Sequence, residues 1–303
     1  MSVVEKAIRK LQQSKQSPDN IPASPEQAAP TTSAAHPGAQ SHGTRVDADR
    51  APAITLDRGT LRAAGLLPPE EDMNQLARQY REIKHPLVAK AIGRGAPRVP
   101  NGYLIMIASA MTGEGKSFTA VNLALSLARE KDIRVLLVDA DVAKPQLSHV
   151  LGLGDAPGLL DALRDGDLDV ETLIHPTDVP TLSFLPAGGS PEEATELLAS
   201  SRMQRLAALL GENDGARIVV FDSPPLLQTT ESSALTHLAG QIVVVVRAEW
   251  TPQPVLLDAL KILEGHPGVS LVLNQSAHTV TSSYYYYYGY GNGRSDSSKA
   301  GGT

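Results

Sequence analysis

Six short, almost wholly apolar runs alternate with helical patterns from Gly102 onward, and this alternation restricts the fold more than any other feature of the chain. YLIMIAS occupies 103–109, and IRVLLVD, TLSFLP, RIVVFD, QIVVVVR and SLVLNQ begin at residues 133, 181, 217, 241 and 270. A strand with one face in water would alternate polar with apolar residues, so runs this uniformly apolar require cover on both faces. Helical patterns at 116–130, 192–210, 232–239 and 254–264 lie between them and can supply it. The expected fold is therefore α/β, a doubly wound and mostly parallel sheet with helices on both faces. Ligands of such sheets sit beyond the carboxyl ends of the strands, so those ends are where chemistry is sought.

The flanking segments read differently. Val3, Val4, Ala7, Ile8 and Leu11 repeat at helical spacing and predict a short amphipathic helix over 1–13. Residues 14–52 are rich in Ser, Pro, Ala, Gln and Gly, the composition of a disordered linker. The domain proper is expected over 53–280, opening with a helical region at 73–92 that is stopped or kinked near Pro86. The segment 281–303 reads as a flexible tail. It holds SSYYYYYGYG, which concentrates six of the eight tyrosines of the chain, Tyr284, Tyr285, Tyr286, Tyr287, Tyr288 and Tyr290. A buried strand would mix Tyr with Val, Ile and Leu, whereas this run is bordered by Ser and Gly. Taken alone it reads as a low-complexity tail.

Composition excludes several function classes. The net charge of −6 argues against nucleic acid as a partner. Without cysteine there are no disulfides and no thiolate metal sites. No apolar run approaches the roughly 20 residues that span a bilayer, and MSVVEKAIRKLQQSK lacks a signal-peptide core. A soluble, cytoplasmic chain is expected.

The strand ends carry the chemistry. SAMTGEGKS (109–117) follows the first strand and fits the phosphate-loop pattern, except that Ala110 replaces the leading glycine. Gly113 and Gly115 let backbone N–H groups converge on phosphate oxygens at a helix N-terminus. Lys116 can bridge the terminal phosphates, and the Ser117 hydroxyl can reach Mg²⁺. IRVLLVDAD brings Asp139 and Asp141 to one strand end, and RIVVFDSPP brings Asp222 to another. A single strand-end aspartate is usually a turn former. Two such ends beside GEGKS, in the order of a P-loop fold, point to a Mg-nucleotide site.

These motifs resemble the Walker A, Walker A′ and Walker B sequences of the bacterial tyrosine kinase (BY-kinase) family. LPAG (185–188), the following PEEATELL and the tyrosine cluster are similar to that family as well. The resemblance covers about residues 73–290 and implies a P-loop NTPase fold related to MinD and ParA, with ATP and Mg²⁺ as cofactors. It implies autophosphorylation in trans on the six tail tyrosines, to regulate exopolysaccharide synthesis and export. By the same resemblance, Thr112, Gly113, Glu114, Gly115, Lys116, Ser117 and Phe118 form the nucleotide loop. Ser117, Asp141 and Asp222 hold the metal directly or through water, and Asp139 orients or deprotonates the attacking phenol. Asn274, ending LVLN, is either near the adenine or a strand-end turn residue. The N-terminal segment and REIKHPL look more like the subgroup associated with exosortase systems. There a separate membrane activator of the polysaccharide co-polymerase type is the partner, which implies a kinase peripheral to the inner membrane. A homo-oligomer, in some members a ring, and a cognate tyrosine phosphatase are further implied partners.

Two departures accompany the match. Lys144 stands where the family often has Arg, and the family's Glu-x-x-Arg-x-x-Arg interface motif aligns with Arg78, Arg81 and Lys84 without its glutamate. The competing class is a MinD/ParA-type positioning ATPase without kinase activity. That class carries a second lysine in the phosphate loop, where this chain has Met111.

Overall fold

The structure, a computed structural model, describes residues 51–212 and 217–276. The expected N-terminal helix, most of the linker and the tyrosine tail lie outside the described residues. Among the described residues one seven-stranded sheet runs through the molecule. Its strands are β1 (Leu104–Ser109), β2 (Arg134–Asp139), β3 (His175–Pro176), β4 (Leu182–Leu185), β5 (Arg217–Asp222), β6 (Gln241–Arg247) and β7 (Val269–Asn274). Their order is β3-β4-β2-β5-β1-β6-β7. All neighbours are parallel except the two-residue β3, which pairs antiparallel to β4 at the edge. The chain steps from β1 across β5 to β2, and later from β5 across β1 to β6, so the winding reverses around β1.

Period-two geometry explains the uniformly apolar runs. Leu104, Met106 and Ala108 of β1 join one core cluster, while Ile105 and Ile107 join the other. β6 divides likewise, with Ile242, Val244 and Val246 on one face and Val243 and Val245 on the other. Each face needs helices to cover it. On the Ile105 face lie α1 (Arg58–Ala63), α2 (Met73–Ile92), α3 (Lys116–Leu127) and, by Leu147, the short α4 (Gln146–Val150). The Leu104 face is covered by α5 (Leu159–Arg164), α6 (Ala194–Leu198), α7 (Ser201–Glu212), α8 (Glu231–Leu238) and α9 (Gln253–Ile262).

One helical expectation is narrowed and another needed correction. Of the stop or kink expected near Pro86, the stop is excluded, because α2 runs on through the proline to Ile92. Proline removes the N–H that would bond to the carbonyl four residues back, but both Glu82 and Pro86 face solvent. The buried side of the same helix, Tyr80, Leu87, Val88 and Ala91, holds it against the core on both sides of the proline. The pattern at 192–210, in contrast, is not one helix. A 3₁₀ turn at Pro191–Glu193, then α6, then α7 replace it. The break falls at Ser200, whose hydroxyl donates back to Leu197 O at 2.6 Å while accepting from Met203 N at 3.3 Å. That is the behaviour of an N-cap serine.

Lys84, aligned with the interface motif, is engaged within its own chain. It is buried, pairs with Glu130 at 2.6 Å and donates to Ser126 O at 2.8 Å, near the end of α3. Arg78 and Arg81 are exposed on the same helix. Lys84→Ala is expected to lower the unfolding free energy by about 1–3 kcal/mol, because it strips Glu130 and a helix-end carbonyl of their shared donor. Urea denaturation monitored by circular dichroism measures this, and an unchanged midpoint would contradict it.

Candidate nucleotide and phosphoryl-transfer site

The phosphate loop is the connection from β1 to α3, and its glycines are used. Gly113 (φ 87°) and Gly115 (φ 95°) lie in the left-handed region that side chains resist. Gly115 has a second reason: a Cβ there would lie 2.1 Å from Asn274 Nδ2. Ala110, standing for the missing glycine, is buried and has no positive φ, so that position makes no demand for glycine. Leu226 N donates to Ser109 O at 2.9 Å and Leu227 N to Ala110 O at 3.4 Å, which fixes the loop entrance to the segment after β5.

Glu114 is fully buried and organises the loop from within. Its carboxylate accepts from Met111 N at 2.6 Å and from the Thr251 hydroxyl. Its carbonyl accepts from Asn274 Nδ2 at 2.9 Å. Thr112 is exposed, and its hydroxyl donates to Gln228 Oε1 at 2.7 Å. Because Met111 N is occupied by Glu114, the N–H groups left for an anion are those further along the loop. Phe118, expected in the nucleotide loop, lies on the first turn of α3 with its ring against the core.

Three aspartates converge beside Lys116. Asp139 and Asp222 are register partners at the ends of adjacent strands β2 and β5. Asp139 Oδ2 accepts from both N and Oγ of Ser148 at 2.8 Å, while no hydrogen bond of normal geometry reaches its buried Oδ1, although the Asp141 backbone stands close enough to favour its ionised form. Ser148 Oγ in turn accepts from Ala187 N at 3.0 Å, within LPAG. Burial drives the Asp139 carboxyl up to about 6 against the pull of Ser148. No hydrogen bond of normal geometry reaches either buried oxygen of Asp222, although Ser117 stands close enough to favour its ionised form. Burial, then the Asp139 charge, push Asp222 up to about 8. Asp141 is raised by burial and opposed chiefly by Lys116. Burial pushes the Lys116 ammonium below its ordinary value, against the attraction of Asp222, Asp141 and Glu114.

This arrangement fits Mg²⁺. Three orphaned buried carboxylate oxygens, two on Asp222 and one on Asp139, are hard ligands in want of a cation. Among the described residues, no group of three or more His, Cys, Asp or Glu forms a cage for a metal ion by itself. Magnesium at nucleotide sites typically uses one or two carboxylates and completes its shell with water and phosphate. Of the residues expected at the site, the structure brings Lys116, Asp139, Asp141, Asp222 and Ser117 together and makes Asn274 a brace of the loop. Thr251, Gln228 and Ser148 were not foreseen; only their place beyond strand carboxyl ends could have suggested them.

Comparison with known proteins follows this geometry. Residues 105–264 match the model of the CobQ/CobB/MinD/ParA nucleotide binding domain, so the chain is a member of that class of nucleotide-binding proteins. It is 31% identical over 195 residues to the tyrosine-protein kinase YwqD of Bacillus subtilis, covering 64% of this chain and 78% of that protein. It is also 36% identical over 162 residues to the putative tyrosine-protein kinase EpsB of Ralstonia nicotianae, covering 53% of this chain. The chain spans only 21% of EpsB. Among solved structures, the VpsO kinase domain aligns at 25% identity and TM-score 0.55, covering 69% of this chain and 100% of that one. The BceF tyrosine kinase domain aligns at 27% and 0.55, covering 74% and 83%. Within the nucleotide-binding class, the chain belongs to the bacterial tyrosine kinase family.

The raised carboxyls make a prediction about the metal-free protein. Asp139 and Asp222 keep protons in the folded state at pH values where the unfolded chain, near 3.8, has released them. Stability is then fully present below that range and is lost as pH rises through about 6 and about 8. Asp222→Asn is expected to flatten the upper part of this decline and to stabilise the metal-free protein at about pH 8. The gain should be on the order of 1–3 kcal/mol. Thermal unfolding in chelator across that window measures it; stability rising with pH would refute the assignment.

Proposed function

We propose that the protein is a Mg-ATP-dependent tyrosine autokinase that phosphorylates Tyr284–Tyr288 and Tyr290 of its own tail, between molecules. One observation carries this beyond nucleotide binding. β7 runs parallel to β6 and ends at Asn274, whose side chain bonds to the phosphate loop. The tail therefore departs beside the site, and the ten residues from Gln275 to Tyr284 reach at most about 35 Å. A cluster of phenols is tethered within range of a phosphoryl-transfer centre, its own or a neighbour's.

In this mechanism the loop N–H groups and Lys116 grip the phosphates and spread the charge of the transfer. Ser117, Asp141 and Asp222 would hold Mg²⁺, which would supply neutralisation of the phosphate charge. The phenol oxygen forms the new bond to the γ-phosphorus as the β–γ bridging bond breaks and ADP leaves. Asp139 accepts the phenolic proton. Burial raises the Asp139 carboxyl towards neutral pH, which makes it a better proton acceptor than an ordinary carboxylate. The free phenol, near 10, is mostly protonated there. Met111 speaks against the positioning-ATPase reading. It packs against the core where that class has a lysine reaching a neighbour.

The same reading includes a homo-oligomer for reaction in trans, a separate membrane activator of the polysaccharide co-polymerase type and a cognate phosphatase, in the service of exopolysaccharide export. Within it, the chain joins the exosortase-associated subgroup and reaches the inner membrane through its activator. No helix among the described residues is long and apolar enough to cross a membrane.

Lys116→Ala should abolish self-labelling with Mg-ATP, read as a gain of phosphate by intact mass. When this inactive protein is mixed with an active variant lacking residues 281–303, the inactive chain should become phosphorylated. Labelling of wild type but not of that mixture would establish reaction within one molecule, and no labelling of wild type would overturn the kinase reading.

A further inference from the structure

Beyond the carboxyl end of β6, residues 247–251 make a tight turn against the phosphate loop. Thr251 N donates to Arg247 O at 3.1 Å, and Arg247 N donates to Thr251 Oγ1 at 3.1 Å. Ala248 N donates to Asn274 O at 2.9 Å, which ties the turn to β7. Inside it Glu249 is held at φ 58°, a conformation costly for a side-chain-bearing residue and sustained here by the surrounding bonds. The turn presents Trp250, the only tryptophan of the chain, with 44% of its surface exposed. The Arg247 guanidinium lies 5.0 Å from the centre of the indole ring.

The position of this turn is informative. The γ-phosphate must lie near Asp139, Asp222 and Lys116, on the β2–β5 side of the loop. The loop itself belongs to β1, which sits between β5 and β6. A polyphosphate laid along the loop with its reactive end at the carboxylates therefore directs its other end towards β6 and β7. There stand Trp250, Arg247 and Asn274. The hydroxyl adjoining Trp250, that of Thr251, bonds to Glu114 within the loop.

We propose that the Arg247–Thr251 turn reads the base of the bound nucleotide, with the Trp250 indole as its stacking platform. The proposal rests on the nucleotide-binding reading above and adds the residue that distinguishes a nucleotide from a bare polyphosphate. Arg247 fixes the indole plane by its cation–π contact and leaves positive charge beside the ribose-phosphate. Stacking of a base on an aromatic ring tolerates any base, so the platform favours nucleotides as a class over inorganic phosphates.

The single tryptophan permits a direct test in the full chain. Emission excited at the red edge, where tyrosine does not absorb, is followed during titration with Mg-ADP and, separately, with Mg-pyrophosphate. Binding of both ligands to wild type, Trp250→Ala and Trp250→Phe is measured by calorimetry. We expect a saturable change in emission with ADP and little with pyrophosphate. Trp250→Ala should weaken ADP about five- to tenfold and leave pyrophosphate affinity within about twofold, while Trp250→Phe keeps most of the ADP affinity. Equal ADP affinity in wild type and Trp250→Ala overturns the proposal. So does an equal loss for both ligands, which would make the turn a brace of the loop and no more, or an equal emission change with both. Wild type that binds neither ligand would instead refute the nucleotide site itself, and this inference with it.

Discussion

Two carboxylates buried side by side at the ends of neighbouring strands are the constraint on which the site depends. The β2–β5 register sets Asp139 opposite Asp222, and neither residue has appreciable access to water. Asp139 is partly compensated by Ser148, but Asp222 has no hydrogen bond of normal geometry. Burying a charge without a partner costs several kcal/mol, so burial raises both carboxyls, Asp222 further than Asp139. Lys116, itself buried and weakened as a cation, cannot neutralise both along with Asp141 and Glu114. A bound cation would resolve the conflict, and a nucleotide would bring one. The instability of the empty site is thus the physical counterpart of its affinity when filled.

That centre was legible in the sequence because its parts are local. A run of apolar residues ending in Asp identifies a two-faced strand and its carboxyl end together, as at Asp139 and Asp222. GEGKS likewise encodes both its backbone conformation and its position before a helix. The supports of the loop were not legible, because they come from far along the chain. Thr251 reaches Glu114 across 137 residues and Asn274 across 160. No periodicity marks a threonine or an asparagine as a brace; only the sheet order, which sets β6 and β7 beside β1, brings them to the loop. Pro86 illustrates the opposite case. A strong local signal for a stop was overridden by burial on the far side of the helix, while Glu82 and Pro86 themselves lie on the exposed side.

Reading Ala110 as a departure from the phosphate-loop pattern also has a structural resolution. Glycine is required where φ is positive or where another group approaches closely, as Gly115 meets both conditions. Position 110 meets neither condition in φ, and its carbonyl merely accepts from Leu227 N. The pattern therefore tolerates alanine there while it could not tolerate it at 115. Substituting Gly115 would displace Asn274, and with it the bond that ties the last strand to the loop.

The sheet order then assigns separate tasks to the two sides of the loop. β2 and β5 deliver the acids, to which the proposed function gives the metal and the proton. β6 and β7 deliver Thr251 and Asn274, which hold the loop, and the Trp250 turn beside them. Adjacent strands lie about 4.8 Å apart, so the ends of β2, β5, β1 and β6 extend over roughly 14 Å along one edge. A ligand with a charged reactive end and an aromatic far end matches that polarity in only one direction. The described chain leaves β7 beside the phosphate loop, on the opposite side of that loop from the acids. The turn after Asn274, where Gln275 adopts φ 55° and donates to the Asn274 side chain, redirects the chain at the point of departure. In the proposed autokinase reading, access of a phenol to the acids would depend on the residues that follow this turn, since the sheet itself sets only the positions of the loop and the acids.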